Sequence, residues 1–125
     1  MKTSYADIPP YVTRDGAEIR ELIHPAVHGN RAQSLAEAVV RPGQRTRMHL
    51  HRCTEELYHF TWGRGAMTLA GRTFPVAAGD TVLIPPGIPH CVEAEGQDSL
   101  HILCCCSPAY SHEDTELLDA VPQES

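Results

Sequence analysis

Short apolar stretches separated by glycine and proline set the hydrophobic pattern of this chain. Residues 57–62 read LYHFTW and residues 100–107 read LHILCCCS, which are lengths typical of strands. Residues 34–40 (SLAEAVV) fit either a helical turn or a strand, and their end at Pro42-Gly43 favours the strand. The strands predicted in this way cover residues 18–23, 34–40, 57–62, 65–69, 72–76, 80–84, 90–95 and 100–107. Their close spacing predicts an all-β sandwich or barrel.

The two ends of the chain contain too few apolar residues to fold alone. Residues 1–13 form a proline-bearing arm, residues 14–110 the barrel domain and residues 111–125 an acidic tail. In the tail, Ser111 as an N-cap and Pro122 as a stop predict one short helix over residues 111–121. Proteins usually cover the unpaired backbone groups of a sheet edge. We therefore expect a homodimer in which the arm or an edge strand adds to the partner's sheet.

Composition narrows the class of protein. The chain has 125 residues, 42% hydrophobic and 21% charged, which is typical of one soluble domain. A net charge of −6 without a basic run argues against nucleic acid. The first residues lack an apolar signal region and no apolar run is long enough to span a membrane, so we expect a cytoplasmic protein. Five cysteines, an odd number, argue against a disulfide framework and favour small buried side chains.

Two histidines and a carboxylate define the candidate chemistry. His49 and His51 are two residues apart, so on a strand they point to the same face, about 7 Å apart. A chain reversal over residues 52–55 brings Glu56 to that face on the next strand. A second stretch, residues 79–90 (GDTVLIPPGIPH), places His90 after a Pro–Gly turn. Imidazoles and a carboxylate that converge on one point are typical ligands of first-row divalent metals.

The spacing of these residues resembles the two motifs of the cupin superfamily. The first consists of Gly43, the pair His49 and His51, Glu56 and Gly63, and the second of Gly79, Pro85, Gly87 and His90. The resemblance covers residues 43–94 and implies a single-domain cupin jelly roll, that is, a double-stranded β-helix barrel. The asparagine that the second motif expects is Ala94 here, and in the family pattern that asparagine is not a ligand.

Together, His49, His51, Glu56 and His90 predict one divalent metal ion per chain. Neutral imidazoles with one carboxylate suit Fe, Mn, Ni, Cu, Zn or Co. Four protein ligands leave about two positions open on an octahedral ion, whereas structural zinc sites are closed and often rich in thiolates. The ligand set therefore favours catalysis over a structural role.

The function predicted from this site is a metal-dependent enzyme that acts on a small anionic or chelating organic substrate. An Fe(II)-type dioxygenase is the simplest version. As an alternative, resemblance to small cupins also allows isomerase, decarboxylase or lyase chemistry, in which the metal is a Lewis acid. A cupin that binds a small molecule without turning it over is the alternative outside the enzymes, and an accessory role in a larger pathway is a third possibility.

Strand parity supplies the remaining candidate residues. Tyr58 and Phe60 share the Glu56 side of their strand, where Tyr58 is the catalytic candidate and Phe60 lines the substrate pocket. Arg47 shares parity with His49 and is predicted to clamp a substrate carboxylate. His101 is a further substrate-binding candidate. Both faces of residues 100–107 are apolar, so parity does not decide whether His101 or the cysteines at 104–106 face the pocket.

Overall fold

The computed structural model of the chain describes residues 1–119, and they form eleven strands with almost no helix. A 3-10 turn covers Tyr5–Asp7, and one helical turn, α1, covers Pro25–His28. The strands are β1 Tyr11–Val12, β2 Glu18–Ile23, β3 Ser34–Val40, β4 His49–His51, β5 Glu55–Trp62, β6 Arg64–Leu69, β7 Arg72–Ala77, β8 Thr81–Ile84, β9 His90–Glu95, β10 Leu100–Ser107 and β11 Thr115–Leu117. The all-β prediction is confirmed. No helix in the described residues is long and apolar enough to cross a membrane.

Two antiparallel sheets make up the barrel. The six-stranded sheet has the order β1-β2-β3-β10-β5-β8, and the five-stranded sheet has the order β11-β4-β9-β6-β7. Strands adjacent in sequence often lie in opposite sheets, as β4 and β5 do, which is the crossing pattern of a jelly roll. The predicted double-stranded β-helix is therefore confirmed.

Alternating burial along the strands places the core between the two sheets. In β10 the even-numbered residues from Leu100 to Cys106 are buried, whereas His101, Leu103 and Cys105 are partly exposed. The sequence left open which side chains of this strand face inward, and the structure shows that those of Cys104 and Cys106 do. One end of the interior is filled by apolar side chains that are almost inaccessible to water: Phe60, Met67, Ile84, Val92, Leu100 and Ile102. The opposite end remains open and contains the histidines.

Gly65 lies where two strands leave no room for a side chain. A Cβ at this position would lie 2.0 Å from the Glu93 carbonyl oxygen and 3.2 Å from Leu100 Cδ2. Because the obstacle is backbone, we expect Gly65→Ala to lower the free energy of unfolding by roughly 2 kcal/mol. Urea denaturation measures this loss. Gly65 does not lie in the positive-φ region, so its substitution tests the contact alone. A Gly65→Ala variant as stable as the parent would contradict the steric explanation.

The N-terminal arm lies on its own subunit's sheet. Tyr11 pairs with Ile19 and Val12 with Glu18, so β1 is the edge strand of the six-stranded sheet. Ahead of it, the Tyr5 hydroxyl donates to Glu37 Oε1 at 2.6 Å. This pairing within one chain occupies residues that we expected to add to a neighbouring subunit. The homodimer itself stays a prediction.

The tail departs from the predicted helix. Thr115–Leu117 is strand β11, which pairs with β4 so that Thr115 faces His51 and Leu117 faces His49. The helix prediction is wrong over residues 111–119, and residues 120–121 lie outside the described part. The open edge of β4 outweighs local helix propensity because it offers unpaired backbone groups. Asp114 holds the start of this strand in place, because its carboxylate accepts hydrogen bonds from the backbone amides of Cys53 and Thr54.

Candidate metal centre

Three histidines meet inside the open end of the barrel. His49 and His51 lie at the two ends of β4 on its buried face, and His90 begins β9 in register with His49. The ring centroids of His49 and His90 are 4.2 Å apart, and those of His51 and His90 are 5.5 Å apart. One ligand nitrogen from each ring lies within 4.8 Å of the other two. The structure therefore forms the three-histidine cluster that the sequence predicted.

Hydrogen bonds to the Nδ1 atoms orient all three rings. His49 Nδ1 lies 2.7 Å from the Arg47 carbonyl oxygen, and His90 Nδ1 lies 2.9 Å from that of Ile88. A carbonyl only accepts, so both Nδ1 atoms carry the proton. His51 Nδ1 lies 3.0 Å from Thr115 Oγ1, whose own proton goes to a backbone carbonyl, so Thr115 also accepts. Each neutral ring thus presents the lone pair of Nε2 to the cluster.

Glu56 faces the histidines from the opposite sheet. It lies near the start of β5, and its Oε1 is 3.1 Å from His51 Nε2 and 3.8 Å from His90 Nε2. Its Oε2 accepts a hydrogen bond from the Cys106 thiol at 3.2 Å. We expected the chain reversal after β4 to place Glu56 beside the histidines in one sheet. Instead, β5 crosses to the six-stranded sheet, so the carboxylate approaches from the facing wall.

The chemistry of these donor atoms fits a divalent cation. A carboxylate oxygen and an imidazole lone pair 3.1 Å apart repel each other unless positive charge lies between them. Within the described residues, Glu56 Oε1 and His90 Nε2 are buried and have no hydrogen-bond partner. Burying such groups unpaired is costly, and a metal ion would satisfy both.

The pKa values support the same charge pattern. Burial, together with the neighbouring His49, lowers the pKa of His90 to about 4, so this imidazole is neutral at physiological pH. Burial alone would raise the pKa of Glu56, but its contacts with His51, His90 and Cys106 outweigh burial and lower it. A neutral imidazole and an ionised carboxylate are the forms that bind metals.

A cavity that opens to solvent extends from the cluster. Tyr58, Cys104 and Cys106 line it from the six-stranded sheet. Burial and the charge of Glu56 raise the pKa of all three groups, well above the ordinary value for Tyr58 and Cys104, so they keep their protons. Tyr58 therefore stays protonated and can donate a hydrogen bond, and the protonated thiols are poor nucleophiles.

Three predicted pocket residues lie elsewhere. Arg47 is not among the residues that line the cavity, because its guanidinium binds Asp119, with Nε 3.0 Å from Oδ1. Phe60 is fully buried in the apolar core, where its ring lies 6.1 Å from that of Tyr58. His101 is on the outer face of its strand, and its Nδ1 is 3.5 Å from Glu37 Oε2. The candidates Arg47 and His101 therefore do not line the cavity, and the direction that the sequence left open for His101 is outward.

Sequence reasoning missed several residues at the site. Asp15, which the sequence indicated only as part of a turn, has Oδ2 3.5 Å from His49 Nε2. Tyr110 packs edge-on against His51 with centroids 5.8 Å apart, and Thr115 accepts from the same ring. Tyr11 and Glu21 line the far side of the cavity. Asp15, Tyr110 and Thr115 lie in loops or in a short edge strand, where no periodicity indicates the direction of a side chain. The sequence did contain a signal for Glu21, because a charged side chain on a short strand can indicate a functional position.

Comparison with known proteins now identifies the class. The family described as "Cupin domain" matches residues 36–106. The chain belongs to the cupin family.

Individual relatives extend this assignment over nearly the whole chain. The uncharacterised protein MJ1618 of Methanocaldococcus jannaschii is 51% identical over 119 residues and 95% of each chain. "Polyketide synthase CurC" of Streptomyces cyaneus is 30% identical over 81% of this chain and 69% of its own. Among solved structures, the polyketide cyclase RemF of Streptomyces resistomycificus superposes with a TM-score of 0.81 at 23% identity, covering 98% of this chain and 87% of that one. The likeness to RemF concerns the fold.

Proposed function

We propose that this protein is a divalent-metal-dependent enzyme that acts on a small, chelating organic substrate. The observation that carries the proposal is the convergence of three buried imidazoles whose Nδ1 atoms are all committed to acceptors. Because Nδ1 carries the proton in each ring, the Nε2 lone pair is the one available to a metal ion. The cavity beside them gives a substrate access, which a structural metal site does not need.

The residues that would hold the metal are His49, His51 and His90, with Glu56 as the fourth ligand. When bound, a divalent ion supplies Lewis acidity at this point and, as iron, reactivity with O₂. Cys106 fixes the carboxylate of Glu56 by donating to Oε2, which leaves Oε1 directed at the imidazoles. The five-stranded sheet thus supplies neutral nitrogen ligands and the six-stranded sheet one negative oxygen.

Tyr58 is the proposed proton donor of the reaction. Its ring lies 5.9 Å from that of His90, and its raised pKa keeps the phenol protonated next to the metal-binding side chains. A substrate oxygen held at the cluster would accept a hydrogen bond or a proton from it.

Two reaction classes remain within the proposal. O₂-dependent oxidation of the dioxygenase type is the first, and it needs iron at the three-histidine cluster. Proton-transfer chemistry, as in an isomerase, decarboxylase or lyase, is the second. The position of Tyr58 beside His90 favours the second class, because it gives a substrate oxygen in the cavity a hydrogen-bond donor.

Turnover by metal-reconstituted protein tests the proposal. Protein loaded separately with Fe²⁺, Mn²⁺, Ni²⁺ and Zn²⁺ would be screened against catechols, β-keto acids and hydroxy acids, with an O₂ electrode and product analysis. We expect Tyr58→Phe to lower kcat by roughly a hundredfold or more with metal retained, because general acid catalysis contributes about that much. Oxygen uptake that tracks product formation selects oxidation, and product without oxygen uptake selects proton transfer.

The matched control is Tyr5→Phe, which removes the hydroxyl of an exposed tyrosine far from the cavity. Its kcat should equal that of the parent. A Tyr58→Phe variant that turns over at the parent rate would remove Tyr58 from the mechanism. Substrate bound stoichiometrically and recovered unchanged with every metal would instead make the protein a binding module.

A further inference from the structure

One carboxylate in the cavity has no function in metal binding. Glu21 lies on β2, and its Oε1 accepts a hydrogen bond from the Tyr11 hydroxyl at 3.0 Å. Its Oε2 is buried and, within residues 1–119, has no hydrogen-bond partner. A carboxylate oxygen withdrawn from water without a partner is costly. A ligand that supplies a hydrogen-bond donor to it would remove that cost.

The other two carboxylates of the cavity are already engaged. Glu56 contacts two imidazoles and the Cys106 thiol. Asp15 accepts from the Ala17 amide at 3.0 Å and faces His49. None of the described residues that line the cavity is lysine or arginine, so no protein cation is available there for Glu21. The cation or donor must come with the ligand.

Strand register places Glu21 in one row with Tyr58, the proposed proton donor. Glu21 pairs with Ala36, Ala36 with Cys104, and Cys104 with Tyr58, so the four side chains form one row across four adjacent strands. Three strand spacings separate the ends of the row, roughly 14 Å along the sheet. Between them, Ala36 and Cys104 are small, and with Ala38 and Ile19 they give the cavity an apolar floor.

We propose that Glu21 is a specificity residue that binds a donor group, best an ammonium, at the end of the substrate remote from the metal. The proposal rests on the proposed function and names the substrate class. Such a substrate has a chelating oxygen pair at one end, an apolar body that lies over Ala36 and Ala38, and a cationic or hydroxyl-bearing end at Glu21. A second carboxylate at that end would meet like charge from Glu21.

Linear hydroxamates with matched tails provide the test. The hydroxamate end chelates metals, and chains of six to eight carbons, roughly 10 Å long, would carry a terminal ammonium, hydroxyl, methyl or carboxylate group. Dissociation constants would be measured by calorimetry on Co²⁺-loaded protein, and the visible Co²⁺ spectrum would report whether the hydroxamate reaches the metal. A charge-assisted hydrogen bond at Glu21 should make the ammonium tail bind at least about tenfold more tightly than the methyl tail.

Glu21→Gln should abolish that preference and leave the affinity of the methyl-tailed compound unchanged. Glu95→Gln, at an exposed position on β9, is the matched control and should keep the parent preference. Equal binding of ammonium, methyl and carboxylate tails by the parent protein would overturn the proposal. So would an ammonium preference that survives in Glu21→Gln. The parent series alone decides the question if that variant does not fold.

A failure of the proposed metal site can be told apart from a failure of the Glu21 proposal. If no hydroxamate changes the Co²⁺ spectrum, the proposed function is wrong whatever the tails do. The order of tail affinities, measured by calorimetry on metal-free protein, then still judges Glu21. If metal-free protein still binds the ammonium tail more tightly than the methyl tail, Glu21 binds the donor group without a metal. If metal-free protein binds all tails equally, the proposal for Glu21 is overturned.

Discussion

Replacement of His51 by alanine is expected to lower the affinity for a divalent ion by more than about a hundredfold while the barrel stays folded. Loss of a hydrogen-bond partner behind a metal ligand alone costs about 10- to 100-fold, and loss of the ligand itself should cost more. His51 is buried and contacts Glu56 directly, so the change also removes the group that faces Oε1. Metal content after dialysis and competition with a chromophoric chelator measure the effect.

Two further variants make the result specific. His59→Ala removes a histidine on the exposed face of β5, where it contacts Thr81, and should bind metal like the parent. Thr115→Val keeps His51 but removes the acceptor behind it, together with the hydrogen bond to the Ser111 carbonyl, and its loss of affinity should lie between the two. Full metal occupancy in His51→Ala, with native circular dichroism, would contradict the assignment of His51 as a ligand.

Acid is expected to destabilise the metal-free protein, and His90 is a main cause. Its pKa falls from 6.5 to about 4 on folding, because burial and the neighbouring His49 disfavour its charged form. As the pH drops through 6.5, the unfolded chain takes up this proton first, and the folded chain takes it up only near pH 4. The unfolded state therefore binds more protons across this window, and the free energy of unfolding falls as pH falls.

The expected loss from His90 is about 3 kcal/mol between neutral pH and pH 4, at roughly 1.36 kcal/mol per pH unit. Urea titrations of metal-free protein at several pH values measure it. The lowered pKa of Glu56 adds a loss of the same sign, so the comparison must be made between variants. His90→Asn should show a shallower dependence than the parent, and His59→Asn the parent dependence. Parallel curves for the parent and His90→Asn would show that His90 does not titrate in this way.

The sequence predicted the histidine cluster better than it predicted the rest of the pocket. Two-residue alternation fixed the shared direction of His49 and His51 on one strand, whereas His90 was grouped with them through the resemblance of its stretch to the second cupin motif. The same alternation failed for Arg47 because β4 begins only at His49, so the residue before the strand does not follow its parity. Its partner Asp119 is 72 residues away in sequence. No pattern within one segment indicates such a contact.

The tail and the far wall of the cavity show the same limit. Residues 111–119 carry helix-compatible chemistry, yet β11 forms because β4 offers an unpaired edge, which is a tertiary cause. Strand β3 was correctly preferred over a helix because Pro42-Gly43 ends it, which is a local cause. Glu21 was assigned to a strand without a role, since its place in the row from Ala36 to Tyr58 depends on the register of three strand pairs.

The proposed metal ligands and the far part of the cavity lie on different strands, and this separation has an evolutionary consequence. The residues proposed to hold the ion lie on β4, β5 and β9, whereas the row that extends away from them begins on β2 and β3. Substitutions at Glu21, Ala36 or Ala38 can therefore resize or recharge the cavity without altering the histidine cluster. Descendants of such a chain could exchange one bound molecule for another through a few changes in the N-terminal third, while keeping the same histidine cluster.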